Sequence, residues 1–273
     1  MTYQQESRLP QGLYLLIANI LVLALVDMPG ESRSKSAGDE LLYFTTLSYW
    51  TMAFYFTAAA FHTFEYARTG HTFLENEKNR IAQHMHILLY TTITVFAFVV
   101  GVVYWTFLSG STTGTANETF DRWSNCSRHV LNMVFAGLEL VVSRHALDWV
   151  TALIHLFCLC CFLLLYLAVV RINFVRTGAV PYGFLDPYQH GSAYIVAHCA
   201  IIFVITVASL LLVSLFMWFR NVVTEGALGL TGKFKIVKRE DEEKGIDLRI
   251  DEIPFPPQPG GGVRQTGAGQ TVG

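Results

Sequence analysis

Six apolar stretches constrain this chain more than any other feature. They run Leu13–Val26, Tyr43–Phe64, Ile87–Leu108, Val130–Val142, Trp149–Val170 and Ala193–Phe219. A hydrocarbon core about 30 Å thick is crossed by roughly 20 helical residues, and several of these stretches reach that length. Backbone in lipid has to satisfy its own hydrogen bonds. The expected fold is therefore all-α, a multipass transmembrane helix bundle with about six membrane segments. The fourth segment is the exception. Val130–Val142 is short and holds Asn132 and Glu139, so it is tilted, extended by Trp123–Arg128, or re-entrant. Five full spans plus one partial span is the alternative.

Only 15% of the residues are charged, against roughly 25% in soluble domains. Charge has been kept out of the segments because an ionisable group in lipid is costly. The net charge of −2 argues against a nucleic-acid partner, which calls for a strongly basic surface. The first segment is expected to stay on the chain. The start MTYQQESR holds one acid and one base, and no small-x-small cleavage pattern precedes Asp27-Met28-Pro29. Of the five cysteines, Cys158, Cys160, Cys161 and Cys199 sit inside apolar segments, and the one C-x-x-C spacing, Cys158 to Cys161, lies within such a segment. They read as core filling rather than a redox or zinc site.

With six crossings both termini share a side. That side receives Arg8, Arg68, Lys78, Arg80, Arg144, Arg220 and the run Lys233, Lys235, Lys238, Arg239; the other receives Arg33, Lys35, Arg122, Arg128, Arg171 and Arg176. The juxtamembrane basic excess places the termini in the cytosol of an endoplasmic reticulum or plasma membrane. The Asn117-Glu118-Thr119 sequon then faces the lumen or exterior. Residues 1–230 are expected to form the bundle. Residues 231–273, ending in PFPPQPGGG and a Gly/Thr/Gln stretch, read as a disordered cytosolic tail. Its basic start reads as a stop-transfer flank, with contact to anionic membrane lipid as the other reading.

Under this topology Thr45 opens the second segment and His129 the fourth, both at the lumenal end, where the loop Gly178–Gly191 with Tyr182 and Asp186 also lies. A nucleophile and its base must come within about 3 Å, and residues at one membrane depth can do so. Taken singly, Thr45 is more simply a hydroxyl bonded back to its helix, and His129 an interfacial cap.

The pattern around them adds more. Trp123-Ser124-Asn125-Cys126-Ser127-Arg128-His129 gives W-x-N-x-x-x-H, followed by Glu139, Ser143 and His145; Thr177-Gly178 leads to Tyr182, Phe184-Leu185 and Asp186. From about Leu13 to Phe219 the chain resembles the family of the androgen-induced protein and the androgen-dependent TFPI-regulating protein. That resemblance implies a multipass threonine hydrolase acting on a lipid ester substrate, fatty acid esters of hydroxy fatty acids. Its nucleophile falls in Tyr43-Phe44-Thr45-Thr46, with Thr45 preferred and Thr46 the adjacent rival. Its histidine falls on His129. The tail has no counterpart in the family pattern, nor does the stretch with His71 and His84-Met85-His86.

Histidine is the side chain poised to take the proton of a weak threonine nucleophile near neutral pH. Asn125 and Asn132 lie at i−4 and i+3 from His129 and share its face if the helix is continuous. Asp186 is the best acid on the lumenal loop. Glu139 lies about 15 Å along the axis from His129 and is expected to bond polar groups on neighbouring helices. A Thr–His dyad without a third acid, and with no cofactor and no metal, is the default. The alternative function is a haem- or metal-binding membrane protein using His62, His86 and His155, all near the cytosolic leaflet, or a non-enzymatic membrane scaffold. The sequence specifies no protein partner.

The topology has a direct test. A reporter fused after Gly273 should be accessible from the cytosol in sealed microsomes, and its protection would overturn the shared-leaflet placement of Thr45 and His129.

Overall fold

The computed structural model describes residues 3–26, 37–69, 80–109, 118–143 and 145–227. The sequon, His71, the basic run from Lys233 and the tail lie outside them. Among the described residues there is no strand. The helices are α1 (Tyr3–Val26), α2 (Ala37–Glu40), α3 (Phe44–Thr69), α4 (Arg80–Val103), α5 (Glu118–Asn125), α6 (Asn132–Val142), α7 (Trp149–Thr177) and α8 (Ser192–Asn221). Among the described residues, three stretches are long and apolar enough to cross a membrane: Arg80–Leu108, Trp149–Thr177 and Ser192–Gly226. The shorter Arg8–Ala24 is also apolar, and α3 carries enough polar residues along its 26-residue length to miss that criterion.

The fourth segment takes the extended form. A π-helical turn, Cys126–Leu131, joins α5 to α6, with Asn125 and Asn132 both in helical conformation at its two ends. Helix therefore continues from Glu118 to Val142. At about 1.5 Å per residue this exceeds the roughly 30 Å hydrocarbon thickness.

α4 is the centre of the bundle. It packs on α3, α6, α7 and α8, and 61% of its most apolar window is buried, against 22% for α7 and α8. The core joins Leu15 and Ala18 of α1, Tyr49, Met52 and Phe56 of α3, Ile93, Phe96 and Val99 of α4, and Leu210, Val213 and Met217 of α8. The outer helices expose Phe157, Leu164, Ile172, Leu211 and Leu215. In lipid such faces cost nothing, because the solvent is as apolar as the side chain. α7 is bounded by local signals. The Asp148 carboxylate accepts from the backbone N–H groups of Val150 and Thr151, and Gly178 ends the helix at φ 73°, returning its N–H to the Phe174 carbonyl.

One end of the bundle is tied by buried charge. Glu139, 2% exposed, accepts from Arg8 at 2.8 Å and from the Tyr55 hydroxyl at 2.7 Å. This joins α1, α3 and α6. The expectation that Glu139 serves neighbouring helices is met. Close by, Arg220 donates to the carbonyls of Leu140 and His145 at 2.7 and 2.6 Å, satisfying acceptors left over where α6 ends.

Removing one partner of such a pair leaves an uncompensated buried charge, at a cost of about 3–5 kcal/mol. Arg8→Met should therefore lower the melting temperature of purified protein in detergent. Arg8→Met combined with Glu139→Gln should recover part of the loss. A double variant less stable than the sum of the two singles would show that the pair is not the source.

Candidate functional site

The opposite end of the bundle gathers Thr45, His129 and Tyr182. Thr45 is the second residue of α3 and is buried. It lies on the wall of a cavity of about 320 Å³ together with Phe44, Val99, Val103, Leu163, Tyr166, Tyr182, Cys199 and Phe203. The lining is almost wholly apolar except at one place. There the Tyr182 hydroxyl lies in hydrogen-bonding reach of the Thr45 side chain and of the backbone N–H groups of Phe44 and Thr45. The Tyr166 hydroxyl adjoins it and donates to the Leu42 carbonyl at 2.9 Å. Phe44 and Thr45 begin α3, so their amides have no intrahelical acceptor. Burial pushes the Tyr182 phenol up to about 12, against the opposing pull of its Thr45 and Phe44 hydrogen bonds.

His129 is held differently. It is 5% exposed and lies in the π-helical turn before α6. Its ring stacks on Tyr104, the first residue of a second π turn that continues α4, with centroids 3.7 Å apart and planes 10° from parallel. One turn further on, Met133 packs where a side chain at Gly101 would sit; a Cβ there would collide with the Met133 sulfur. The Gly101–Met133 and Tyr104–His129 contacts therefore seat the turn against α4. The ring Nδ1 is buried without a hydrogen-bond partner. Buried polar atoms are nearly always paired, and single π turns recur at functional sites.

Neighbouring residues bring the two elements together. Ser127 bonds the hydroxyls of Tyr49 at 2.6 Å and Tyr14 at 2.9 Å. Arg128 pairs with Glu40 at 2.8 Å and donates to Thr46 Oγ1 at 3.4 Å. Thr45 faces the cavity, and Thr46 is turned to the guanidinium. Among the described residues no hydrogen bond joins Thr45 to His129, and His129 does not line the cavity. Catalytic hydrogen bonds are often long in an empty site and tighten only around substrate.

The supporting residues sort themselves by place. Asn132 is buried with both ends of its amide unpartnered, one turn from His129. Asn125 is half-buried where α5 passes into the π turn. Asp186 spends its carboxylate on its own loop, accepting from the Tyr188 N–H at 2.9 Å and the Gln189 amide at 2.8 Å. Glu139 is held at the other end of the bundle, as described. The histidines of the alternative reading do not converge as a set. His62 and His86 meet edge to face at 5.5 Å, but His155 hydrogen-bonds Thr91 at 2.9 Å, and the ring beside His86 is His145 at 6.0 Å. Among the described residues no group of three or more His, Cys, Asp or Glu is placed to hold a metal ion. Sequence reasoning missed Tyr104 and the role of Tyr166, because nothing local marks a ring as the partner of a distant helix.

These features define a multipass membrane protein with a buried hydroxyl at the polar end of an apolar cavity. A family model described as FAR-17a/AIG1-like protein matches residues 12–217. The chain belongs to that family, the androgen-induced protein family. No curated protein and no solved structure matches it.

Proposed function

We propose that this protein hydrolyses fatty acid esters of hydroxy fatty acids inside the membrane, with Thr45 as nucleophile and His129 as general base. The observation that carries the reading is the cavity itself, an apolar space of about 320 Å³ whose polar end is the Thr45 hydroxyl with its phenol neighbours. Ligand pockets have this character, an apolar lining with a few convergent polar groups. Leu164 and Phe203 line the cavity yet are 65% and 47% exposed. An acyl chain can therefore enter sideways between α7 and α8 from the lipid. Family membership supports the same reading, with termini in the cytosol and an endoplasmic reticulum or plasma membrane setting.

In the reaction, Thr45 Oγ1 attacks the ester carbonyl carbon while His129 takes its proton. The tetrahedral intermediate collapses by breaking the bond to the hydroxy fatty acid, whose oxygen receives that proton. Water then gives a proton to His129 and attacks the acyl-threonine. The fatty acid leaves and Thr45 regains its hydrogen.

Thr45→Ala should abolish turnover of a branched fatty ester and labelling by a fluorophosphonate probe. His129→Ala should lower kcat by about 10²–10⁴-fold, the usual worth of a positioned acid–base group. The double variant should be no worse than Thr45→Ala, since members of one catalytic unit are not additive. Thr45→Ser should keep part of the activity, and Thr46→Ala most of it. Full hydrolysis by well-folded Thr45→Ala protein refutes the assignment, and loss in Thr46→Ala alone transfers the role to Thr46.

A further inference from the structure

Of the residues in the Thr177–Asp186 pattern, most have a local task. Thr177 Oγ1 accepts from the Ala179 N–H at 3.2 Å, Gly178 ends α7, and Asp186 closes the loop on Tyr188 and Gln189. Phe184 and Leu185 line the cavity wall. Tyr182 has a chemical group that the loop does not use. Its ring is fixed, stacked on Phe184 at 5.4 Å with planes 9° apart and met edge-on by Tyr43 at 5.5 Å. The residue is 9% exposed, yet it lines the cavity and carries its hydroxyl to Thr45.

The hydrogen-bond inventory at that hydroxyl is asymmetric. The phenol oxygen has the amides of Phe44 and Thr45 in reach, and an amide N–H only donates. The Tyr166 proton is committed to the Leu42 carbonyl, leaving the Tyr166 oxygen as an acceptor. The Thr45 side-chain contact lowers the phenol's pKa as the amides do and so is also made to its oxygen, which leaves the single Tyr182 proton free to be given.

Building on the hydrolase reading above, we propose that Tyr182 is a catalytic residue that donates its phenol hydrogen bond to the carbonyl oxygen of the bound ester and to the oxyanion that forms from it. An entering carbonyl oxygen takes the Tyr182 proton. The Thr45 hydroxyl turns its own hydrogen from the phenol oxygen to His129. Because the phenol approaches from a loop held by ring contacts, little reorganisation accompanies the charge that develops on the oxygen, which is the condition under which such a donor is most effective. The site then needs no carboxylate, in keeping with an Asp186 held within its own turn.

The test is Tyr182→Phe in the full-length protein reconstituted in lipid vesicles, assayed with a branched fatty ester. The ring and its packing are kept, so melting temperature and yield should match the wild type. Loss of one oxyanion donor should lower kcat by about 10²–10³-fold with KM little changed, and should slow fluorophosphonate labelling of Thr45 in parallel. Tyr166→Phe should have a much smaller effect. A kcat within threefold of wild type, while Thr45→Ala is inactive, overturns the Tyr182 role and leaves the hydrolase reading standing. Absence of turnover and labelling in the wild type overturns both. If Tyr182→Phe does not fold, a difluorotyrosine at position 182 keeps the shape and makes the phenol more acidic. The donor is then lost at lower pH, so the alkaline limb of the kcat profile should move down in pH. An unmoved limb overturns the proposal.

Discussion

A carboxylate buried in a membrane bundle has to be neutralised or fully paired, and the arrangement of this protein's first, third and sixth helices follows from how Glu139 meets that demand. Arg8 reaches it from one helix and Tyr55 from another. The three helices are thereby held in one register, and the polar end they form collects His62, His86, His145 and Arg220. In hydrocarbon the apolar faces of helices gain little by meeting one another. The strongest constraints on their relative positions are such polar contacts and the close fits between small and large side chains.

With that end anchored, the other end is shaped by irregularity. Two π turns face each other, one at Tyr104 and one around His129. Each widens its helix locally, and the two rings stack in the space between them. Met133 over Gly101 supports the same approach one turn deeper. The result is a histidine that is buried, rigid and not fully hydrogen-bonded, beside a helix start whose amides and hydroxyl open on an apolar cavity.

Tyr182 and Asp186 show how a sequence pattern mixes two kinds of residue. Gly178 is required because α7 ends in a left-handed conformation at φ 73°, which a side chain resists. Asp186 is required because it holds a turn. Neither touches the cavity chemistry, although an acid on a loop near a histidine reads in the sequence as a third member of a catalytic set. Tyr182 has the opposite history. It reads as a loop aromatic, and the role proposed for it comes from its place beside the first turn of α3.

Sequence alone determined the bundle. The spacing of apolar runs dictates helices, because lipid offers the backbone no other partner, and all six segments are helical. The same reasoning kept Glu139 away from His129, since ten helical residues separate them along one axis whatever the packing. Length also left the fourth segment open between three forms, and a π turn decided it. What the tertiary structure decided is which residues from different helices meet: His145 in place of His155 beside His86, Tyr104 under His129, and Tyr182 over Thr45. Periodicity fixes the face on which a side chain lies and its depth in the membrane. It carries no information about the rotation of one helix against the next, because the lipid-facing sides of α7 and α8 are as apolar as their packed sides. The contacts that set that rotation are between residues far apart in the chain.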